Sequence, residues 1–598
     1  MGSNTDQDGA HDVSDAYINA STYKRTAADE VTDINQFKEN LAKAAFEDWP
    51  NEAGFDGLTE HRGPIKLRVK GSIPAWAAGS LYRTGPGACS VEDTKVGTFQ
   101  ISHWFDGLAH THRFDILAED NGSSANSGEV RVVYSSRRQS DSFVQKIKDT
   151  GCMPAKSFAQ RSDPCIGMFG KFMAMYQRRG QVYTNIGVTV NANMKPFQDI
   201  AGPSQGGSHG HRAGASSLFI GSDLSLFAQV DVQSMEVTAY VPQSKLHPEL
   251  TGPSASAHGM QDPETGDYFN FNLEMGSSCT YRVFQVSAAT GDATILARIL
   301  SRPAYIHSFF LSKNYVILCV PVSHYQWNGV KVIWEGSLLG GIAPFDKSEK
   351  CHWFIVDRRH GKGVVAQFTS PAAFFFHSTN AFEDDETGDV ICELIQYSST
   401  SIMRGFYYDV LLQRDNKAKE FWCDSPTSDL VGEVVRYRFR ATDFHSSSHS
   451  EHSKLPSPAV VLKAAAAHIG DLPTINPTFA CRKHRYTFGL AGRGLSTLFD
   501  GIIKVDCETR DVLIWSAPRG HTPSEAIFVP RPSEENGKPA EEDGGVLLSV
   551  VLDGVNKTSY LLCLDAKTMT ELGRAECDFA VAFTLHGQHV KNGGESGL

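Results

Sequence analysis

The sequence predicts an all-β protein, and a β-propeller better than a sandwich, on three observations. From about Ile65 onward, short β-branched or aromatic runs alternate with Gly, Asp, Asn and Ser turns, the rhythm of consecutive strands. A plan also repeats. VFQVSAATGDATILARI from Val283, WFIVDRRHGKGVVAQF from Trp353, IIKVDCETRDVLIWSA from Ile502 and LLCLDAKTMTELGRAE from Leu561 each read as strand, short polar turn, strand, and SLFAQVDVQSMEVTAYV from Ser225 fits the same frame. The third observation is size: roughly 500 residues of such hairpins are too many for one sandwich, whereas a propeller grows by repeating sheets.

The chain divides into a polar N-terminal arm, residues 1–60, and a single β domain over 61–598. The arm carries one expected helix, INQFKENLAKAAFEDW from Ile34, whose apolar positions recur at helical spacing. Long irregular insertions around 145–210 and 400–470 lie between the hairpins and are expected to roof a cavity. One of them, PCIGMFGKFMAMYQRR from Pro164, sets Phe169, Phe172, Met173 and Tyr176 at i, i+3, i+4 and i+7 with Lys171, Arg178 and Arg179 nearby. Such a face suits a helix dipping into a membrane surface, with core packing an equally good account.

Composition excludes several classes. With 41% hydrophobic and 21% charged residues the chain can bury a large core. A net charge of −12 and the lack of a long basic block argue against a nucleic-acid partner. The twelve cysteines never form CxxC, which disfavours zinc ribbons and points to a reducing compartment. MGSNTDQDGAHD has no basic and apolar signal pattern, Asp6 spoils a myristoylation motif, and no apolar run is long enough to span a bilayer. A cytoplasmic protein, peripherally attached to membrane at most, is expected.

Four histidines share a setting. His258 in ASAHGMQDPETGDYFNFN, His307 in YIHSFFLSKNYVIL, His377 in FFFHSTNAFEDDETGD and His586 in FTLHGQHV each stand at the edge of an apolar strand. Only a closed, nearly symmetric fold brings strand ends so far apart in sequence to a common axis. These contexts, with SLYRTGPG at Ser80, HWFDGLAHTHRF at His103, YSSRRQSD at Tyr134, EGSLLGGIAPFD at Glu335 and PSEAIFVPRP at Pro523, resemble the carotenoid cleavage oxygenase family, and most closely its fungal branch acting on torulene, β-carotene or apocarotenoids. The resemblance runs in order from about residue 60 to the end.

It implies a seven-bladed β-propeller with a helical and loop dome, and Fe(II) on the axis held by His258, His307, His377 and His586. It also implies carboxylates behind three of the ligands: Glu525 in PSEAIFVP, Asp471 in DLPTIN, one methylene shorter than the family's Glu, and Asn185 in VYTNIGVTVN where the family has a carboxylate. Imidazole suits ferrous iron, and four neutral ligands leave positions open for dioxygen. A hydrophobic polyene held beside the metal in a dry tunnel would then be split into two carbonyl products. The runners-up are a stilbene-cleaving oxygenase, weakened because Thr184-Asn185 offers no lysine, and a retinoid or carotenoid isomerase or carrier on the same fold. His103, His110 and His112 read as non-ligands, and EDDETGD after His377 as a charged hairpin turn rather than a calcium loop.

Overall fold

A single turn design explains why the hairpins form where the pattern repeats. At Asp231 the backbone closes through Asp231 N to Glu236 O at 2.8 Å and Met235 N to Asp231 O at 2.8 Å, while Asp231 Oδ1 accepts from Gln233 N and Ser234 N at 3.0 and 2.7 Å. Asp506 and Asp565 repeat it on the backbone amides two and three residues ahead, and Ser287 does so with its hydroxyl. The acidic tail after His377 is another copy: Asp384 caps Glu386 and Thr387, and Gly388 takes the left-handed φ of +71° that closes the turn.

The computed structural model describes residues 20–118, 130–161, 184–194, 197, 214–424, 429–444, 455–533 and 540–591. Among them the chain forms seven antiparallel sheets of four to six strands, plus the small hairpin Ser90–Thr94 with Gly97–Gln100. In the sheet Phe374–Glu383, Val390–Tyr397, Glu433–Phe439, Ala459–Ala465, sequence order is spatial order. Three pairings join the two ends of the chain. His586–Lys591 pairs with Gly79–Ala88, Arg68–Gly71 with Glu571–Cys577, and Ser21–Arg25 with Val512–Ser516.

Many strands are covered on both faces, so they read as near-continuous apolar runs instead of alternating ones. Gly545–Asp553 (GVLLSVVLD) is buried throughout. The core therefore lies between sheets; Phe310, Trp353, Phe375 and Phe439 form one such cluster.

The arm departs from expectation at both helix ends. The helix is Glu30–Ala42 rather than a run from Ile34 to Trp49. It begins early because a 3-10 turn, Ala27–Asp29, runs straight into it, and that turn is opened by a Thr26–Asp29 capping box with Thr26 N on Asp29 Oδ2 at 2.8 Å. It stops because Ala44 turns left-handed, after which Phe46 and Trp49 are buried in and just after a 3-10 turn. Phe169, Phe172, Met173 and Tyr176 lie outside the described residues.

Candidate metal centre

The four histidines come from the terminal strands, or the loops beside them, of four different sheets. His258 follows Ser254–Ala255, His307 precedes Phe310–Leu311, His377 lies inside Phe374–Glu383 and His586 opens His586–Lys591. In the sheets of His258 and His307, the repeated hairpins Thr280–Val286 with Ala293–Leu300 and Lys350–Asp357 with Val364–Pro371 lie on the side away from the histidine. His377 owes its aim to a bulge: Phe375 faces Gln396 and Ser378 faces Leu394, so the strand holds one residue more than its partner there. Serines stitch the ligand strands together. Ser256 Oγ donates to His307 O at 2.7 Å, Ser308 Oγ to Phe376 O at 2.6 Å and Ser378 Oγ to Phe309 O at 2.7 Å.

One nitrogen from each of the four rings lies within 4.8 Å of the others. His258 Nε2 is 3.1 Å from His307 Nε2, and His377 Nε2 is 3.3 Å from His586 Nε2. Burial, reinforced by the neighbouring imidazoles, pushes His258 and His377 well below the ordinary histidine range, so both rings are neutral. His307 Nδ1 donates to Asp223 Oδ1 at 3.0 Å, and His586 Nδ1 donates to Glu525 Oε1 at 2.8 Å. A proton held on Nδ1 leaves the Nε2 lone pair free for a metal, so this donor set fits a divalent transition metal.

The groups behind the rings differ from those the sequence suggested. Glu525, expected behind one of the four rings, stands behind His586, and Arg83 joins it: buried Arg83 donates to Glu525 Oε2 at 2.9 Å and Gly587 N donates to the same oxygen at 3.0 Å. Burial alone would raise the Glu525 carboxyl, but His586, Arg83 and the Gly587 amide hold it below its usual value. Among the described residues Asn185 forms no hydrogen bond with any of the four histidines. Its Oδ1 accepts from Ala109 N and Ser140 Oγ at 2.9 and 2.6 Å, and its amide donates to Asp106 O and Gly107 O, so it fastens the Trp104–Asp106 turn. The carboxylate behind His307 is Asp223, steadied by the Tyr305 hydroxyl at 3.0 Å. Asp223 escaped the sequence reading; its only signal is IGSDLS, an acid directly after the Leu218–Gly221 strand.

Asp471 reaches the cavity but not His377. Its carboxyl accepts from the Tyr397 hydroxyl and, at 2.6 Å, from Leu472 N. Among the described residues no hydrogen bond joins it to His377. Its carboxyl oxygens are instead taken by the Tyr397 phenol and the Leu472 amide. Burial raises the Asp471 carboxyl above its ordinary range, against the lowering effect of Tyr397.

His307, His377 and His586 border a cavity of about 180 Å³ in the space open to the centre of a water-sized sphere. Phe105, Phe158, Phe376 and Phe406 form one wall, with Phe105 and Phe406 stacked at 5.1 Å. Leu224 and Lys156 stand exposed at its edge. Of the histidines read as non-ligands, His103 bonds Met403 O and Phe105 N and His112 bonds the Tyr134 hydroxyl, while His110 Nε2 is buried without a hydrogen-bond partner among the described residues.

Glu393, His484 and Cys507 also cluster within 4.8 Å. Their chemistry opposes a metal. His484 Nδ1 is already met by the Asn380 side-chain amide at 3.1 Å. Its Nε2 stands 3.5 Å from Glu393 Oε1, while Arg436 occupies the other Glu393 oxygen at 2.9 and 2.5 Å. Burial pushes the Cys507 thiol up to about 12.

The family model for retinal pigment epithelial membrane protein (RPE65) matches residues 54–591. The carotenoid dioxygenase of Neurospora crassa is 45% identical over 98% of this chain and 98% of its own length. The torulene dioxygenase of Fusarium fujikuroi is 44% identical over 95% of this chain and 98% of its own, and a mouse beta,beta-carotene 15,15'-dioxygenase is 28% identical over 89% and 90%. Cobalt-substituted Synechocystis apocarotenoid oxygenase shares the fold, with a TM-score of 0.67 at 20% identity over 91% of this chain and 98% of that one. The chain belongs to the RPE65/carotenoid oxygenase family.

Proposed function

We propose that the protein is a non-haem Fe(II) dioxygenase that cleaves one carbon–carbon double bond of a carotenoid or apocarotenoid, torulene, β-carotene or a close relative, into two carbonyl products. The observation that carries this is the convergence of His258, His307, His377 and His586 beside an aromatic-walled cavity. Ferrous iron held there would supply the redox centre for dioxygen activation. The chain's own residues do the rest. Asp223 and Glu525 hold the Nδ1 protons of His307 and His586 and fix the ring planes. Phe105, Phe158, Phe376 and Phe406 grip a rigid polyene and exclude water from it. Both atoms of dioxygen end in the two new carbonyls, so no outside reductant is needed.

On this reading the seven sheets are blades of one closed propeller domain spanning about 61–598, with the arm docked on its rim. Pairing of His586–Lys591 with Gly79–Ala88 supports closure. A lipid surface is the substrate's source. The turn and helix Gln326–Glu335 expose Trp327, Val330 and Ile333, with Lys331 beside them, and lead directly into Leu338 of the cavity wall. Among the described residues no helix is long and apolar enough to cross a membrane.

Aerobic incubation with torulene, β-carotene, an apocarotenal and resveratrol, with products identified by mass, tests the substrate class. Cleavage of resveratrol alone would overturn it. Trp327→Glu with Val330→Glu should weaken liposome binding while metal content holds; unchanged binding removes the proposed docking face.

A further inference from the structure

A second cavity lies between the sheet that carries His377 and the next sheet along the chain. Ile395, Val434, Phe488 and Val505 are in its walls, and one residue, Asp471, lines both this void and the substrate cavity. The space open to the centre of a water-sized sphere is about 20 Å³, enough for one small molecule.

Its polar neighbours leave little for a water. Glu393 is held by Arg436 at 2.9 and 2.5 Å. The Thr487 hydroxyl sits 3.3 Å from Glu393 Oε1 and 3.4 Å from Cys507 Sγ, and Asp471 is occupied by Tyr397 and Leu472 N. Thr379 Oγ1 is buried and without a partner, but a stable internal water needs two to four. With those groups engaged elsewhere, the void offers a water one unmet partner, and the rest of the space is bounded by Ile395, Val434, Phe488 and Val505. Two of its lining residues, Leu462 and Arg510, are partly exposed.

We propose that this inter-sheet void is a dioxygen pocket, a route by which the gas reaches the metal past Asp471 while a polyene fills the main cavity. Dioxygen is small, neutral and apolar, matching the Ile395, Val434, Phe488 and Val505 walls, and it is the one substrate that need not pass the aromatic wall. The proposal rests on the oxygenase reading above.

Xenon, a gas of similar size and polarity, tests the site without catalysis. Crystals of the full chain under xenon pressure should show a peak beside Val505 and Ile395. An ordered water there, or no xenon at a pressure that loads other voids, overturns the proposal. Val434→Phe, with Val505→Ile as the milder variant should the first fail to fold, should raise the KM for dioxygen severalfold. The KM for polyene and the metal content should stay unchanged. An unchanged KM for dioxygen in a variant that has lost the xenon peak rejects the route. A wild-type protein that binds xenon there but consumes no dioxygen overturns the oxygenase reading instead, and with it the supply role.

Discussion

The four converging histidines are supported unequally: His307 and His586 each rest on a carboxylate, whereas His377 has no acceptor on Nδ1 among the described residues. Asp223→Asn keeps a hydrogen-bond acceptor but removes the charge, and should lower metal affinity roughly 10- to 100-fold in a chelator competition. Asn185→Asp should leave metal affinity where it is; a gain would restore Asn185 to the role the sequence suggested. Asp471→Glu adds the reach that Asp471 lacks and should slow metal loss to chelator, with Tyr397→Phe having a smaller effect in the same direction by releasing Asp471. The convergence of the four histidines was legible because one context recurs around each of them. Asp223 and Tyr397 were not, since which side chain stands behind a ring is decided by loops from other sheets.

Buried histidines away from the four-histidine cluster set the response to acid. Burial lowers His103 to about 4, His110 to about 3 and His589 to about 4, against 6.5 for the exposed ring. Above pH 6.5 the ring is neutral in both folded and unfolded chains, so nothing is lost there. As pH falls from 6.5 toward 4 the unfolded chain takes up protons that the folded one refuses, costing up to about 1.4 kcal/mol per pH unit for each ring. Urea midpoints should therefore be flat from pH 8 to 7 and fall steeply from 6 to 4.5; a midpoint that rises on acidification contradicts this.

At the scale of elements, the hairpins were the most readable feature, because strand, Asp-led turn and strand repeat with little change in length. Asp384→Ala removes the cap on Glu386 and Thr387 and should cost about 1 kcal/mol by urea denaturation, with the metal retained. The bulge that aims His377 left no mark in FFFHSTNAFE, because register depends on the partner strand Val390–Tyr397. The arm helix was misjudged at both ends because apolar spacing alone carries no stop signal, and the Thr26–Asp29 cap and the turn at Ala44 decided it.

For the whole molecule, the general plan was legible and its fastening was not. The sequence indicated many similar hairpins; it could not show that Ser21–Arg25 would add to Val512–Ser516, nor that the last described strand would pair with Gly79–Ala88. Deleting residues 1–29 removes an edge strand and its Arg25–Asp33 bridge, and should lower Tm by several degrees without loss of metal. The central claim is that the four-histidine centre spends dioxygen on a polyene double bond. The most direct measurement is dioxygen uptake against polyene cleaved, using Fe(II)-loaded protein and a His377→Ala control. One dioxygen per bond broken and two carbonyl products, both lost in the variant, is the expected result; conversion of the polyene with no dioxygen consumed would contradict it.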